Sequence, residues 1–498
     1  MTALPKSPSR AALAVLLAGT FMASLDTAIV NVAGPAIQSD VGVSGAALQL
    51  VISGYALAYA ALLITGARLG DDHGHRRLFL AGLAGFTLTS LIAGLAWSTS
   101  VLIAARIGQG VAAAAMGPQV MTVIQLQYDG AARMKAMALL ATVVSAGVVV
   151  GQVLGGALVD LDLFGASWRP VFLINVPVGV ALLAVGPRLL PATRRPSGRR
   201  MDWLGVALMA DTITLVMVPL VFGHEVDWAW WTWVSLAAAV PTAGLLALHL
   251  RRLRDRGQAP VADVRLLAAP RFGLGMAGTT AVMIAYGGFL FTLTLHLQQG
   301  LGDSPLRAGL TFAPFALGFA LTSLTVPALA PQLGRRLAPV GLAVSAIGYL
   351  GLGVVTGDGT WTDAEALPLL LAAGAGFGAG YSQVITRSIA NVAPAQAHDA
   401  SGLFNTINML GFAVGVATLG SAFLSAVGAP TPAETGSAFA LVAVGCGVLS
   451  LVAVAFVVAL ARAEDRAAHA SGRGLNASSA SSRDTAPVMA ATTSSVSG

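Results

Sequence analysis

Fourteen apolar runs, each long enough to cross a bilayer as a helix, fill most of the 498 residues. They fall at 11–36, 46–66, 78–97, 101–124, 136–159, 168–188, 203–222, 230–250, 272–297, 306–330, 337–356, 366–390, 400–426 and 437–461. A spanning helix needs about 20 such residues. The runs are too long for barrel strands and lack their alternation of apolar and polar positions. The chain is therefore expected to be an all-α polytopic membrane protein with 14 transmembrane helices. Only 10% of its residues are charged, against roughly 25% in a soluble domain. That excludes a soluble enzyme or nucleic-acid binder. The single cysteine, Cys446, excludes internal disulfides and cysteine metal clusters. The first run outlasts a signal-peptide core and ends in Asn31-Val32-Ala33-Gly34-Pro35, so it reads as a span.

Charge sets the orientation. With the N-terminus cytoplasmic, 25 of the 28 Lys and Arg residues lie in cytoplasmic segments. Arg169 and Arg307 fall outside, and Arg106 lies within a span. This asymmetry places both termini in the cytoplasm, and it reads the basic excess as loops rather than a nucleic-acid surface. The expected location is the bacterial inner membrane.

Two basic segments, 189–202 and 251–271, flank spans 7 and 8. They divide the chain into a six-helix half (1–188), a two-helix insert with basic linkers (189–271), a second six-helix half (272–461) and a cytoplasmic tail (462–498). Two sixes suggest a transporter built from repeats. Gly74-His75-Arg76-Arg77-Leu78 after span 2 echoes Gly334-Arg335-Arg336-Leu337 after span 10. From about Ala470 the Ser/Ala/Thr-rich tail is expected to be disordered.

A few polar residues stand inside the spans. Asp26 lies about 15 residues into span 1, past the midplane at ~1.5 Å per residue. Carboxylates there are costly and tend to be functional. A buried Asp can bind and release a proton, so Asp26 is a candidate site for exchanging protons against substrate. Arg106 in span 4 keeps its charge and needs a partner or a wet cavity. Gln109, Gly110 and Ala113 share its face. Asp211 is the other clearly intramembrane acid, a candidate coupling group or a polar packing contact. Gly147, Gly151 and Gly155 recur every four residues in span 5, beside Gln152 and Gly156. They allow a neighbouring helix to approach closely, as a sliding surface or as static packing.

Asp71, Asp72, His73, Gly74, His75, Arg76 and Arg77 read as a short turn whose acids and bases latch helix ends. The two-residue His spacing does not suit a metal. Asn405, Asn408, His296, Gln298 and Gln299 are candidates to line a cavity or to bridge helices. Trp228, Trp230, Trp231 and Trp233 read as an interfacial belt. No phosphate loop, HExxH or nucleophile elbow occurs, so no catalytic or metal residues and no cofactor are expected.

These strings resemble the major facilitator superfamily, and within it the fourteen-helix drug:proton antiporters. Leu25-Asp26-Thr27 through Gly34-Pro35 looks like that family's first-helix motif, which ties the Asp to proton or cation coupling. Ala67 to Arg77 is similar to the gating loop, with Ala67, Asp72 and His75 departing from the usual residues. Arg106-Ile107-Gly108-Gln109-Gly110 resembles the fourth-helix motif, whose Arg assists proton transfer. Gly147 to Gly156 resembles the antiporter motif, with Gln152 in place of Pro. Trp168 to Gly179 and Leu297 to Leu310 match further signatures, with His296 where Tyr is common.

The resemblance implies a major-facilitator fold and proton-driven efflux by alternating access; amphipathic small molecules such as drugs or antibiotics are the expected substrates, with cations suggested by Asp26 alone. The proton gradient stands in place of a cofactor, and a monomer is the expected unit. Lipid or glycolipid export, and a non-transporting sensor or scaffold, are the alternatives.

Overall fold

The computed structural model describes residues 10–192, 202–223, 225–258, 265–390, 392 and 397–481. Lys6, Arg194, Arg195, Arg199, Arg200, Arg483 and the end of the tail lie outside them. Among the described residues, fourteen helices are long and apolar enough to span a membrane. They are α1 (Arg10–Val41), α2 (Gly45–His73), α3 (His75–Gly94), α4 (Thr99–Gln127), α5 (Gly130–Asp160), α6 (Pro170–Leu189) and α7 (Trp203–Phe222). The rest are α8 (Trp230–Asp255), α9 (Pro270–Gly300), α10 (Pro305–Ser323), α11 (Leu337–Thr356), α12 (Asp363–Ala390), α13 (Ala397–Ala426) and α14 (Pro432–Ser481).

Helix starts follow local chemistry. Ser44, Ser98, Ser304 and Asp202 accept a backbone N–H from the first turns of α2, α4, α10 and α7, which satisfies donors that the helix leaves open. Glu225, in the α7–α8 loop, reaches across to take the Ala46 N–H of α2 at 2.8 Å. α1 packs on α5, and α4 on α2 and α3. α11, α12 and α14 form the matching group in the second half, with α9 on α13 and α14. α7 and α8 pair with each other, and α7 leans on the seam between α2 and α13. The insert thus rides outside the bundle, and Trp230 and Trp233 at its loop end are 77% and 60% exposed.

The structure bears on three expectations. The Asp71–Arg77 run is not an open turn. α2 continues to His73, Gly74 alone breaks the helix at φ 97°, and His75 starts α3 already buried. α14 runs on to Ser481, so the described part of the tail past Ala470 is drawn as a continuation of that helix. Ala-rich sequence is good helix-former, and a membrane helix supplies its nucleus. Asp211 is exposed on α7 rather than buried within the bundle. It shares a face with Leu204, Ala207 and Thr214, all exposed.

Candidate functional site

Five helices converge on Asp26, which is fully buried. Arg106 of α4 places its Nη1 on Asp26 Oδ2 at 2.5 Å. The same guanidinium donates from Nε to the Val51 carbonyl of α2 (2.9 Å) and from Nη1 to Gln109 Oε1 (2.8 Å). Its flat face lies 4.9 Å from the Tyr55 ring centroid and 5.8 Å from that of Phe172. Arg106 is 1% exposed, so it does not reach outward to an interface. Asp26 Oδ1 accepts from Gln109 Nε2 at 3.0 Å and from Asn175 Nδ2 of α6 at 2.9 Å. Gln109 also donates to Ser90 Oγ of α3 at 2.8 Å.

The arrangement answers a physical requirement. A buried charge must be paired and hydrogen-bonded, and removing one partner of such a pair costs about 3–5 kcal/mol. Here the carboxylate has three donors and the guanidinium has three acceptor contacts. The pair is neutral as a whole. A proton taken by Asp26 would leave the cluster with one net positive charge, so protonation and the pairing compete directly.

A cavity of about 660 Å³ adjoins this cluster. Thr20, Ser24 and Thr27 of α1, Tyr55 and Tyr59 of α2, and Met116 of α4 form one wall, and Asn405 and Met409 of α13 face it. Tyr55 belongs to both: it lines the cavity and covers Arg106. Arg68 and Gln125, near the Gly74 ends of α2 and α4, line the cavity toward that side of the membrane. On the opposite side the halves are closed together. Gln298 Nε2 donates to the Val32 carbonyl and Gln299 Nε2 to Gln38 Oε1, both at 2.8 Å. Gln49 of α2 meets Ser421 of α13 at 3.3 Å, and α5 packs on α10.

The other candidates distribute as follows. Of the residues expected to line a cavity, Asn405 lines this one, whereas Gln109, His296, Gln298 and Asn408 do not. Gln109 belongs to the Asp26 cluster, and Gln298 to the seal. His296 opens a π-turn, His296–Gly300, and stacks on Phe439 at 5.5 Å. Asn408 turns back to the Phe404 carbonyl at 2.7 Å. In each case a polar residue on an apolar helix is buried or half-buried among other helices, which sequence periodicity cannot distinguish from facing a cavity.

At the Gly74 side, His75 Nδ1 meets Gln119 Oε1 at 2.8 Å, and Nε2 lies 3.6 Å from Asp71 Oδ1. Arg76 donates to the Leu190 carbonyl at the end of α6 (3.4 Å), and Arg77 is exposed. Gly147, Gly151 and Gly155 all face α1: a Cβ at Gly151 would lie 2.7 Å from the Leu25 carbonyl oxygen. Gly156 faces α10, against Pro305 and Leu306. Asn175, Ser90 and Tyr55 were not singled out from sequence. The signature string from Trp168 to Gly179 contains Asn175 and was the signal that could have found it.

Comparison with known proteins agrees with this architecture. The sequence matches the model of the Major Facilitator Superfamily over residues 16–200 and 195–416. It is 38% identical over 428 residues to a probable actinorhodin transporter of Streptomyces coelicolor, covering 85% of this chain and 74% of that one. It is 37% identical over 464 residues to a cephamycin export protein of Amycolatopsis lactamdurans, covering 89% and 91%. It is 34% identical over 453 residues to the multidrug efflux pump LfrA of Mycolicibacterium smegmatis, covering 87% and 86%. Among solved structures, a bacterial homologue of the human lysosomal transporter Spinster superposes with a TM-score of 0.66 at 18% identity, over 92% of this chain and 98% of that one. The chain is a multi-pass membrane protein and belongs to the major facilitator superfamily.

Proposed function

We propose that this protein exports amphipathic small molecules, antibiotics among them, across the bacterial inner membrane in exchange for protons. The observation that carries the reading is the buried Asp26–Arg106 pair set directly behind the wall of a cavity open on one side. The named activities of the similar actinorhodin, cephamycin and multidrug transporters support it.

The Lys and Arg asymmetry assigns the Gly74 side, and both termini, to the cytoplasm. In that orientation the cavity opens toward the cytoplasm, which supports reading this arrangement as the cytoplasm-facing state of the cycle. Substrate enters from the cytoplasm or inner leaflet while Asp26 is paired with Arg106. When the halves 1–188 and 272–461 rock the other way, the Gln298 and Gln299 contacts part and substrate leaves outward. A proton arriving from outside neutralises Asp26 and releases Arg106 from its pair. Return to the inward state deposits that proton in the cytoplasm and restores the pair. The membrane potential contributes about 2.3 kcal/mol per charge per 100 mV. The substrate is moved without chemical conversion. One chain contains the whole cavity and cluster, so it works as a monomer, with the 189–271 insert as a peripheral support.

The test is efflux of dyes and antibiotics in everted vesicles under an imposed pH gradient, wild type against Asp26→Asn. Gradient-driven transport lost in the variant is the expected result. Persistence in the variant would move coupling away from Asp26. A well-folded wild type that moves none of the compounds would turn the reading toward lipid export, and lipid-flipping assays would follow. A wild type inactive in both would leave a sensor or scaffold.

A further inference from the structure

The cavity ends partway through the membrane, but the helix faces that line it continue. On α1, Thr20, Ser24 and Thr27 line the cavity, and the next residue on that face is Asn31. On α5, Leu140 and Val144 line it, and the row of every fourth residue, which turns by about 40° per step, leads through Val148 to Gln152 beside the Gly147–Gly155 row that packs on α1. Both rows lead to a carboxamide on the sealed side.

Both amides are buried, Asn31 at 2% exposure and Gln152 at 3%. Among the described residues, neither Nε2 nor Oε1 of Gln152 has a protein hydrogen-bond partner, and neither does Asn31 Oδ1. Asn31 Nδ2 only folds back to the Thr27 carbonyl at 3.1 Å. Buried polar atoms are almost always paired, above all within a bilayer. Gln152 also sits on the moving seam. Its backbone carbonyl lies against Gly309 of α10, and Gly156, one turn on, packs against Pro305 and Leu306.

We propose that Asn31 and Gln152 form a second, uncharged substrate subsite, sealed here and opened when α5 and α10 part, that binds neutral carbonyl, hydroxyl or amide groups of the exported molecule. This rests on the transport reading above. A carboxamide donates and accepts without charge. It therefore discriminates hydrogen-bonding groups and leaves the reading of charge to Asp26.

Two probes separate these roles in proteoliposomes of the full chain: an anthracycline, rich in carbonyl and hydroxyl groups, and tetraphenylphosphonium, a cation with neither. The variant is Gln152→Met, nearly isosteric and apolar. Expected is a loss of anthracycline transport of ~10-fold or more, the size of one or two hydrogen bonds, with tetraphenylphosphonium changed less than ~2-fold. In a second arm, Gln152→Cys should react with a membrane-impermeant maleimide only from the side opposite Gly74, and faster during turnover.

Equal losses on both probes, no loss on either, or a cysteine unlabelled from that side would overturn the subsite. If Gln152→Met fails to insert, or wild type carries only the anthracycline, the labelling arm decides. If wild type carries only the cation, the subsite is rejected. If wild type carries neither probe, the transport reading falls and the subsite with it. If wild type carries both and the variants behave like it, the subsite alone falls.

Discussion

Asn175 of α6 and Gln109 of α4 donate to the same oxygen of Asp26, at 2.9 and 3.0 Å, while Arg106 holds the other. Asp26 is thus cradled by neutral amides on one oxygen and by a cation on the second. Truncating Asn175 to Ala leaves the ion pair intact but removes one charge-assisted bond, worth about 1.5–3 kcal/mol. The expected outcome is near-normal insertion with a several-fold loss of gradient-driven transport. Unchanged transport would assign Asn175 to packing alone.

Arg106 and Asp26 should behave as a unit. Arg106→Ala leaves a buried unpaired carboxylate, so thermal stability in detergent should fall by about 3–5 kcal/mol. Adding Asp26→Asn to Arg106→Ala removes that orphan charge and should recover part of the loss. The coupling energy from the four proteins, read from thermal unfolding, checks this. Additive losses would mean that the pair is not energetically linked.

Much of the scaffold was legible in the sequence, because a bilayer demands long apolar runs and fourteen are present. The inward placement of Asp26 and Arg106 was also legible, since each is too costly to leave among lipids. Their shared partners were not. Asn175, Ser90 and Tyr55 are ordinary residue types, and only the three-dimensional meeting of α2, α3 and α6 with α1 and α4 gives them roles. Asp211 shows the converse. Its position mid-span suggested burial, yet its helix lies outside the bundle and turns it outward.

The α1–α5 contact tolerates no side chain at Gly151. A Cβ there would sit 2.7 Å from the Leu25 carbonyl oxygen and 3.0 Å from the Ala28 Cβ. Gly151→Val should therefore cost about 1–3 kcal/mol through forced separation of the helices. A Cβ at Gly244 on α8 would meet nothing within 4 Å beyond its own helix. Gly244→Ala should be neutral or stabilise by about 0.4–1 kcal/mol. Thermal midpoints of the two variants, measured side by side, test whether close approach or helix propensity governs each position.

Asp303, in the loop between α9 and α10, gives a pH prediction. Burial holds its carboxyl above the usual carboxylate range; nearby Arg307 opposes this and Asp363 adds to it. Its Oδ1 lies 3.1 Å from Arg307 Nε, and its Oδ2 is buried without a partner among the described residues. A raised folded-state value means that the unfolded chain ionises first. The stabilising contribution is complete below the unfolded value of about 3.9 and disappears as pH rises through the folded one. Wild type should lose thermal stability across that rise. Asp303→Asn, which cannot ionise, should not show that loss, and identical pH dependences would refute the assignment.

His75 and Gln119 lock the Gly74 end of the first half. Gln119 Nε2 already donates to the Gly66 and Ala115 carbonyls, at 2.8 and 3.1 Å. Its Oε1 must therefore accept, which makes His75 Nδ1 the donor, an assignment inferred from the network. Replacing His75 with Phe leaves Gln119 Oε1 buried and unpaired, a penalty of about 1–3 kcal/mol. Gln119→Leu leaves His75 Nδ1, and the carbonyls of Gly66 and Ala115, short of a partner. The double variant His75→Phe with Gln119→Leu removes both ends of the broken bond, so it should lose less stability than the two single changes added together. If the losses simply add, α3 and α4 are held at this end by packing around Gly70 and Gly66 of α2 rather than by the imidazole.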